Sequence, residues 1–304
     1  MKNIVITGPT ATGKTDTTIT IAKRIGGEII SADSMQIYKG LDIGTAKPDK
    51  QQLNAVRHYL IDIKNPCEIF SAGEFAKVAQ KLIKIINKKG KPAIVAGGTG
   101  FYLDALINGL NNIPEVNSQV KRFFDDYCDE FDSPRLYEWL RVIDKTWASH
   151  IKETDCQRIK RGLSVFVSSR TPISEFFKQK HAENQSFFIF VLYASKDWLS
   201  KRILKRSKQM VSSGIIEETE KLLHKGFLDC DAIKAIGYKE TVEYILRKIK
   251  TKDELAEKIA DSTIKYAKRQ LTFLKSRFKN AIWIDVEHDD PVQKILDTVS
   301  GHFP

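Results

Sequence analysis

The stretch Gly8-Pro9-Thr10-Ala11-Thr12-Gly13-Lys14-Thr15 constrains the fold of this chain more than any other. It fits G-x-x-x-x-G-K-[ST], directly after the apolar run Ile4-Val5-Ile6 and at the start of a helical stretch, Lys14 to Arg24. Glycines in such a loop let consecutive backbone N–H groups turn inward on phosphate oxygens, and the following helix N-terminus adds partial positive charge. Lys14 is placed to reach the terminal phosphate, and the Thr15 hydroxyl to ligate Mg²⁺. The alternation begun here continues. Strand-like runs at Glu28 to Ala32, Leu60 to Ile63, Ala93 to Ala96, Phe187 to Tyr193 and Ala281 to Asp285 are separated by helical stretches such as Ser71 to Lys89. The expected class is α/β, a P-loop NTPase-like parallel sheet with flanking helices.

Between Val116 and Glu183 the pattern changes to aromatic-rich amphipathic segments, among them Val120 to Phe131 and Arg135 to Ile143. This reads as a helical insertion domain over 116–185, set into a core formed by 1–115 and 186–304 whose C-terminal part is helix-rich. A length of 304 residues accommodates two such bodies. No apolar run reaches the roughly 18 residues of a membrane span, and the N-terminus lacks a signal-peptide pattern, so a cytoplasmic protein without membrane contact is expected. A monomer is the working expectation, although no sequence feature addresses oligomeric state. Cys67, Cys128, Cys156 and Cys230 are widely spaced with no C-x-x-C pair, which predicts reduced structural thiols. Tyr238, His58, His181 and the four tryptophans read as structural.

Forty-nine Lys and Arg against 38 Asp and Glu give a formal charge of +11, which favours a polyanionic partner. The window from Ser262 to Ile284 holds no acidic residue but contains Lys265, Lys268, Arg269, Lys275, Arg277 and Lys279. As a helix it carries a core stripe of Ile264, Ala267, Leu271, Leu274 and Phe278 beside a cationic one.

The loop does not say whose phosphates it holds. No strand ends in a convincing acidic Walker B residue: the run Ala93 to Ala96 leads into Gly97-Gly98-Thr99-Gly100, and Asp62 is the nearest substitute. Neither an N-K-x-D base reader nor a Gln placed to orient water is visible, so nucleotide hydrolysis has little support. Asp33 closes the run Glu28 to Ala32, and the carboxyl end of a parallel strand faces the ligand crevice, which sets it beside the loop. A turn or helix-capping role is the competing reading.

GPTATGKT, SADSMQIYKGLDIGTAKP, RHYLIDI, VAGGTGFYLDAL, QRIKRGL, KQMVSSG, AIGYKE and AKRQLTFLK, in that order, resemble the bacterial tRNA dimethylallyltransferase (tRNA isopentenyltransferase) family over about residues 3 to 285. The resemblance implies transfer of a dimethylallyl group from dimethylallyl diphosphate to the exocyclic N6 amine of the adenosine 3′-adjacent to the anticodon, with Mg²⁺ as cofactor and the tRNA anticodon stem-loop as partner. On that reading Gly8, Pro9, Thr10, Ala11, Thr12, Gly13, Lys14 and Thr15 bind the diphosphate, and Thr15 holds the metal. Asp33 is the base, while Thr10 and Arg206 act at the reacting groups. Asp33, Ser34, Met35, Gln36 and Thr99 meet the target base and its neighbours, and Gln157, Arg158, Ile159, Lys160 and Arg161 contact tRNA from the insertion.

Several of these residues have structural alternatives: a turn threonine for Thr10, a solvated helix face for Arg206, and a tight turn for Gly97 and Gly98. Cys156, Gly162 and Ser164 depart from the family pattern, which leaves the local helix geometry open. Two rival functions stand beside the transferase. A small-molecule P-loop kinase of adenylate-kinase type explains the loop, the insertion and Arg206 but not DSMQIYKGLDIGTAKP; a non-enzymatic RNA binder would keep the loop as an anion site.

Overall fold

The computed structural model describes residues 2–111, 113–130, 133–177 and 187–302, with the side chains of 128–130 and 133 left aside. The chain divides into two compact units, residues 1–107 with 184–304, and residues 108–183. The first unit opens with β1 (Asn3–Thr7), α1 (Lys14–Arg24), β2 (Glu28–Ser31), α2 (Lys50–Ala55), β3 (His58–Tyr59), α3 (Ala72–Lys88), β4 (Ala93–Gly97) and α4 (Gly100–Asn108). The second contains α5 (Ser118–Glu130), α6 (Ser133–Ile143), α7 (Lys145–Ala148), α8 (Cys156–Ser169) and α9 (Ile173–Phe176). The first resumes with β5 (Phe187–Tyr193), α10 (Lys196–Ser212), α11 (Ile215–His224), a 3₁₀ turn at Asp231–Lys234, α12 (Tyr238–Ile245), α13 (Lys252–Arg277), β6 (Ile282–Asp285) and α14 (Pro291–Val299).

Six strands form one sheet in the order β3-β2-β4-β1-β5-β6, and every described pairing is parallel. Side chains alternate between its faces because the strand period is two. Val5, Val95, Val191 and Ile30 point into a core with Phe75, Ala79, Ile83 and Ile86 of α3 and Leu274 of α13. Their neighbours Ile4, Ile6, Ile94, Phe190 and Leu192 point the other way, onto Ile19 and Ile21 of α1 and Ile295 of α14. A strand buried on both faces reads as an unbroken apolar run, which is how β1, β4 and β5 appear in the sequence. The register pairs Thr7 with Gly97 and Ser31 with Ala96, so the loops leaving β1, β2 and β4 emerge side by side.

One expected strand is largely absent. The stretch Leu60 to Ile63 leaves the sheet after Tyr59 because Leu60 and Asp62 adopt positive φ values of 63° and 55°. Asp62 and Ile63 then donate to the carbonyls of Gln36 and Ile37 instead of to β2. The expectation of reduced thiols also fails: Cys67 and Cys230, 163 positions apart, are joined by a disulfide, Cys156 is disulfide-bonded as well, and no described cysteine is free. Spacing along the chain carries no information about a pairing that distant. His181 lies outside the described residues.

In the second unit, Phe124, Leu136, Leu140, Ala148, Ile159 and Leu163 form a separate core. Gly162 sits where α8 approaches its neighbours: a Cβ there would meet Leu140 at 2.8 Å and Trp147 at 3.0 Å. The helix runs unbroken from Cys156 to Ser169, so the departures from the family pattern leave its geometry intact.

Candidate active site

The phosphate loop grows out of β1 under steric compulsion. Gly8 lies against the backbone of Leu192, on which any Cβ would collide, and Ala11 and Gly13 take left-handed conformations with φ of 67° and 85°. Pro9 O accepts hydrogen bonds from Thr12 Oγ1 at 2.9 Å and from Lys14 Nζ at 2.8 Å, which draws the loop closed. Gly13 caps α1 without a side-chain acceptor, leaving the first-turn N–H groups to an incoming anion.

Helix α10 holds the loop from one side. Arg202 Nε donates to Ala11 O at 3.0 Å, and Arg206 Nη1 donates to Thr10 Oγ1 at 3.1 Å. Arg206 Nε is buried and has no hydrogen-bond partner among the described residues. A buried charged donor left unsatisfied is costly, and an anionic ligand is the partner that would complete it. Burial lowers the pKa of Arg206 and pushes that of Lys14 down to about 8. In both cases the Asp33 carboxylate works in the opposite direction, and Arg206 further lowers Lys14. These three charges therefore share one electrostatic neighbourhood.

Asp33 follows the end of β2 and forms the turn that was the competing reading. Its Oδ1 accepts the N–H of Met35 at 2.9 Å and of Gln36 at 3.4 Å. Among the described residues Oδ2 accepts no hydrogen bond. The turn fixes the carboxylate while leaving one oxygen to act.

Thr99 joins this segment to the loop after β4. Its Oγ1 accepts the Ser34 N–H at 2.9 Å and donates to Ser34 Oγ at 3.2 Å. The glycines around it serve close approach rather than unusual turn geometry. A side chain at Gly97 would strike the backbone of Ala32, one at Gly98 the Gln270 amide, and one at Gly100 the Phe273 ring at 2.5 Å. The Gln36 amide is engaged inside the protein, accepting from Ser31 at 3.2 Å and donating to the carbonyls of Thr45 and Ala46.

The Asp42-Ile43-Gly44-Thr45-Ala46-Lys47 block is held by Glu218, which the sequence does not single out, and by Tyr238, in the structural role expected of it. Glu218 of α11 accepts the N–H groups of Asp42, Ile43 and Gly44, and Tyr238 donates to the same carboxylate at 2.7 Å. Gly44 leaves room for the Tyr238 ring, which a Cβ would meet at 2.5 Å. Asp62, the substitute Walker B residue, is ion-paired with Lys47 at 2.6 Å. Beside Arg206 lies a cavity of about 610 Å³ lined by the apolar Ile43, Ala46, Leu53 and Met210 and by the charged Asp42, Lys47, Asp49, Lys50 and Asp62.

The expected tRNA-contacting helix face is built less uniformly than its sequence implied. On α8, Ile159 is fully buried in the core of the second unit, so packing, not surface contact, is its role. Lys160 is ion-paired with Asp125 at 2.6 Å and Arg158 with Asp155 at 3.5 Å. Gln157, Arg158 and Arg161 are exposed. In the first unit, Lys265, Lys268, Arg269, Lys275 and Lys279 are all exposed along and just beyond α13. No helix among the described residues is long and apolar enough to cross a membrane.

Residues 36–277 match the family model described as IPP transferase, a range that begins after the phosphate loop. A tRNA dimethylallyltransferase from Geobacillus thermodenitrificans is 38% identical over 308 residues, spanning 99% of this chain and 96% of its own length. The corresponding protein of Fervidobacterium nodosum is 38% identical over 304 residues, spanning 100% and 97%. Among solved structures, the full-length tRNA isopentenylpyrophosphate transferase of Bacillus halodurans superposes with a TM-score of 0.72 at 34% identity, covering 99% of this chain and 96% of that one.

Proposed function

The chain belongs to the IPP transferase family, and from that premise we propose that it transfers a dimethylallyl group from dimethylallyl diphosphate to the N6 amine of the adenosine 3′-adjacent to the anticodon of tRNA. The observation that carries this reading is the convergence of Lys14, Arg206 and Asp33 at the carboxyl ends of β1 and β2, with Arg206 donating to Thr10 of the loop and its Nε buried without a partner among the described residues. Two cations and a half-free carboxylate are what alkyl transfer from a diphosphate to a weak nitrogen nucleophile requires.

The allylic C–O bond breaks when negative charge on the departing diphosphate is neutralised, and fixed, preorganised cations do this most effectively. The loop N–H groups, Lys14 and Arg206 supply that charge, with Thr10 orienting Arg206. The electron pair of the C–O bond leaves with the diphosphate as the N6–C bond forms. The N6 proton passes to Asp33, whose Oδ2 is available to accept it. An adenosine must leave its stack to reach an enclosed site, so the target base enters flipped out of the anticodon loop. Ser34, Met35, Gln36 and Thr99 line its approach, while Gln157, Arg158 and Arg161 with the α13 lysines contribute phosphate contacts.

Mg²⁺ fits the donor set here. Among the described residues no cluster of three ligating side chains stands at the loop, the one such group being Asp285, Glu287 and His288. A cation bound mostly through phosphate oxygens and water needs little more than the Thr15 hydroxyl. When present, Mg²⁺ adds charge neutralisation on the diphosphate. The reaction would take place in the cytoplasm, where its tRNA substrate resides.

The test is an isotope assay with unmodified tRNA, isoprenoid-labelled dimethylallyl diphosphate and γ-labelled ATP. Label entering RNA from the isoprenoid, recovered as N6-dimethylallyladenosine by mass spectrometry, is the expected result. Transfer from ATP to a small molecule would restore the kinase reading.

A further inference from the structure

Gln270 lies on α13 among Ala267, Leu274 and other apolar residues, and is only 7% exposed. A primary amide in such surroundings is costly unless every polar atom finds a partner. Both of its ends are engaged, and by different loops. Gln270 Oε1 accepts the Thr10 N–H at 2.9 Å, in the loop after β1, while Nε2 donates to Gly98 O at 2.8 Å, in the loop after β4. Only a side chain carrying an acceptor and a donor at fixed separation can join an N–H to a carbonyl in this way. A leucine would fill the space, and a glutamate would keep one bond and repel the other partner.

The fit is reciprocal, since a side chain at Gly98 would run into that same amide nitrogen. One helical turn earlier, the Tyr266 hydroxyl interacts with Gln270 and with Thr99, and burial together with the Asp33 charge pushes its pKa up to about 12, so it stays protonated. Thr99 in turn holds Ser34, next to Asp33. At the other end, Thr10 receives Arg206 on its hydroxyl. A continuous set of contacts thus runs from the arginine beside the donor loop, through Gln270 and Tyr266, to the segment bearing the carboxylate.

Building on the prenyl-transfer reading, we propose that Gln270, assisted by Tyr266, is a positioning residue that sets the diphosphate loop against the acceptor segment. Its task is to hold the breaking C–O bond in line with the incoming nitrogen. Displacements of about 1 Å at a reacting centre cost roughly a hundredfold in rate. An amide on a long, packed helix is a more rigid device for preventing them than contacts between two loops.

The experiment compares wild type, Gln270→Met and Tyr266→Phe by steady-state kinetics for each substrate, with thermal unfolding as the control. Gln270→Met keeps the volume and removes both hydrogen bonds; Tyr266→Phe removes only a hydroxyl. The expected outcome is a kcat lowered about 10- to 100-fold in Gln270→Met and less in Tyr266→Phe. The KM for either substrate should stay within about threefold and the Tm within a few degrees. A rise in KM at unchanged kcat, or activity lost only in proportion to unfolded protein, overturns the positioning role while leaving the transferase reading intact. If Gln270→Met does not fold, Tyr266→Phe decides by the same kcat and KM criterion. An inactive wild type, with tRNA and dimethylallyl diphosphate both present, overturns the two readings together.

Discussion

Two carboxylates bracket β2, and their surroundings could hardly differ more. Glu28, at the strand's first residue, is almost wholly buried and receives Lys89, Lys91 and the Tyr59 hydroxyl, the latter at 2.8 Å. Asp33, just past the other end, spends one oxygen on its own turn and keeps the second free beside Lys14 and Arg206. At Glu28 the opposing charges are in contact and satisfied. At Asp33 they are near but unspent, since Lys14 is turned onto Pro9 O and Arg206 Nε has no hydrogen-bond partner among the described residues. A closed ion cluster stabilises; an open one awaits a ligand. The carboxyl ends of parallel strands are where the chain must turn away, and there the backbone leaves charges incompletely paired.

Removing the base should break the comparison most severely. Asp33→Asn preserves the turn's acceptor but cannot take a proton, and single-turnover transfer is expected to fall by about 10²- to 10⁴-fold with tRNA binding within a few-fold of wild type. Undiminished transfer measured by quench-flow would remove Asp33 from the chemistry. Arg206→Met follows, with a loss of roughly 10²- to 10³-fold in kcat, because it deletes a donor aimed at the leaving group. A variant impaired only in tRNA affinity would return Arg206 to a role on the helix surface.

How far this contrast could be read in the sequence depends on how local its causes are. The loop from Gly8 to Thr15 and the strands at β1, β4 and β5 are local patterns, a fixed spacing and unbroken apolar runs, and they needed no tertiary information. The Leu60 to Ile63 segment has an equally apolar pattern, but two left-handed residues turn it out of the sheet, and composition does not reveal φ. Glu218 and Gln270 look like any polar residue on a helix. Their partners lie 175 positions away at Ile43 and 260 positions away at Thr10, beyond the reach of any periodicity. The one available signal was Gln270 itself, a polar residue among the apolar positions of α13. Gly98 and Gly100 were legible as glycines but not as the reason for them, which is the approach of that same helix.

The pH dependence sharpens the open end of the comparison. Lys14 must be charged to neutralise a diphosphate, and burial brings its pKa down to about 8. Activity that depends on the ammonium is complete below that value and is lost as pH rises through it. The donor kcat/KM, which reports the free enzyme, should therefore decline above about pH 8 with a slope approaching tenfold per unit. Lys14→Arg, which keeps its charge throughout, should flatten this limb at a lower plateau. An alkaline limb unchanged by the substitution would assign it to another group.

The closed end gives the smallest effect on turnover and a measurable one on folding. At Glu28, burial alone would raise the carboxyl pKa, but hydrogen bonds from Lys91, Tyr59 and Lys89 overcome it and hold the group down from 4.5 to about 2. A depressed carboxyl pKa contributes stability that is fully present above the unfolded value and disappears as pH falls through the folded one. Glu28→Gln should cost about 1–3 kcal/mol at neutral pH, the expected loss when hydrogen bonds to a buried charged acceptor are weakened. The difference from wild type in urea midpoint should narrow steadily as the pH is lowered from about 4.5 towards 2. Turnover per folded molecule should not change, because nothing at that end of β2 touches the donor loop or Asp33. If Glu28→Gln slowed transfer without lowering the urea midpoint, the two ends of the strand would be coupled, and the division between a stabilising and a reactive carboxylate would have to be abandoned.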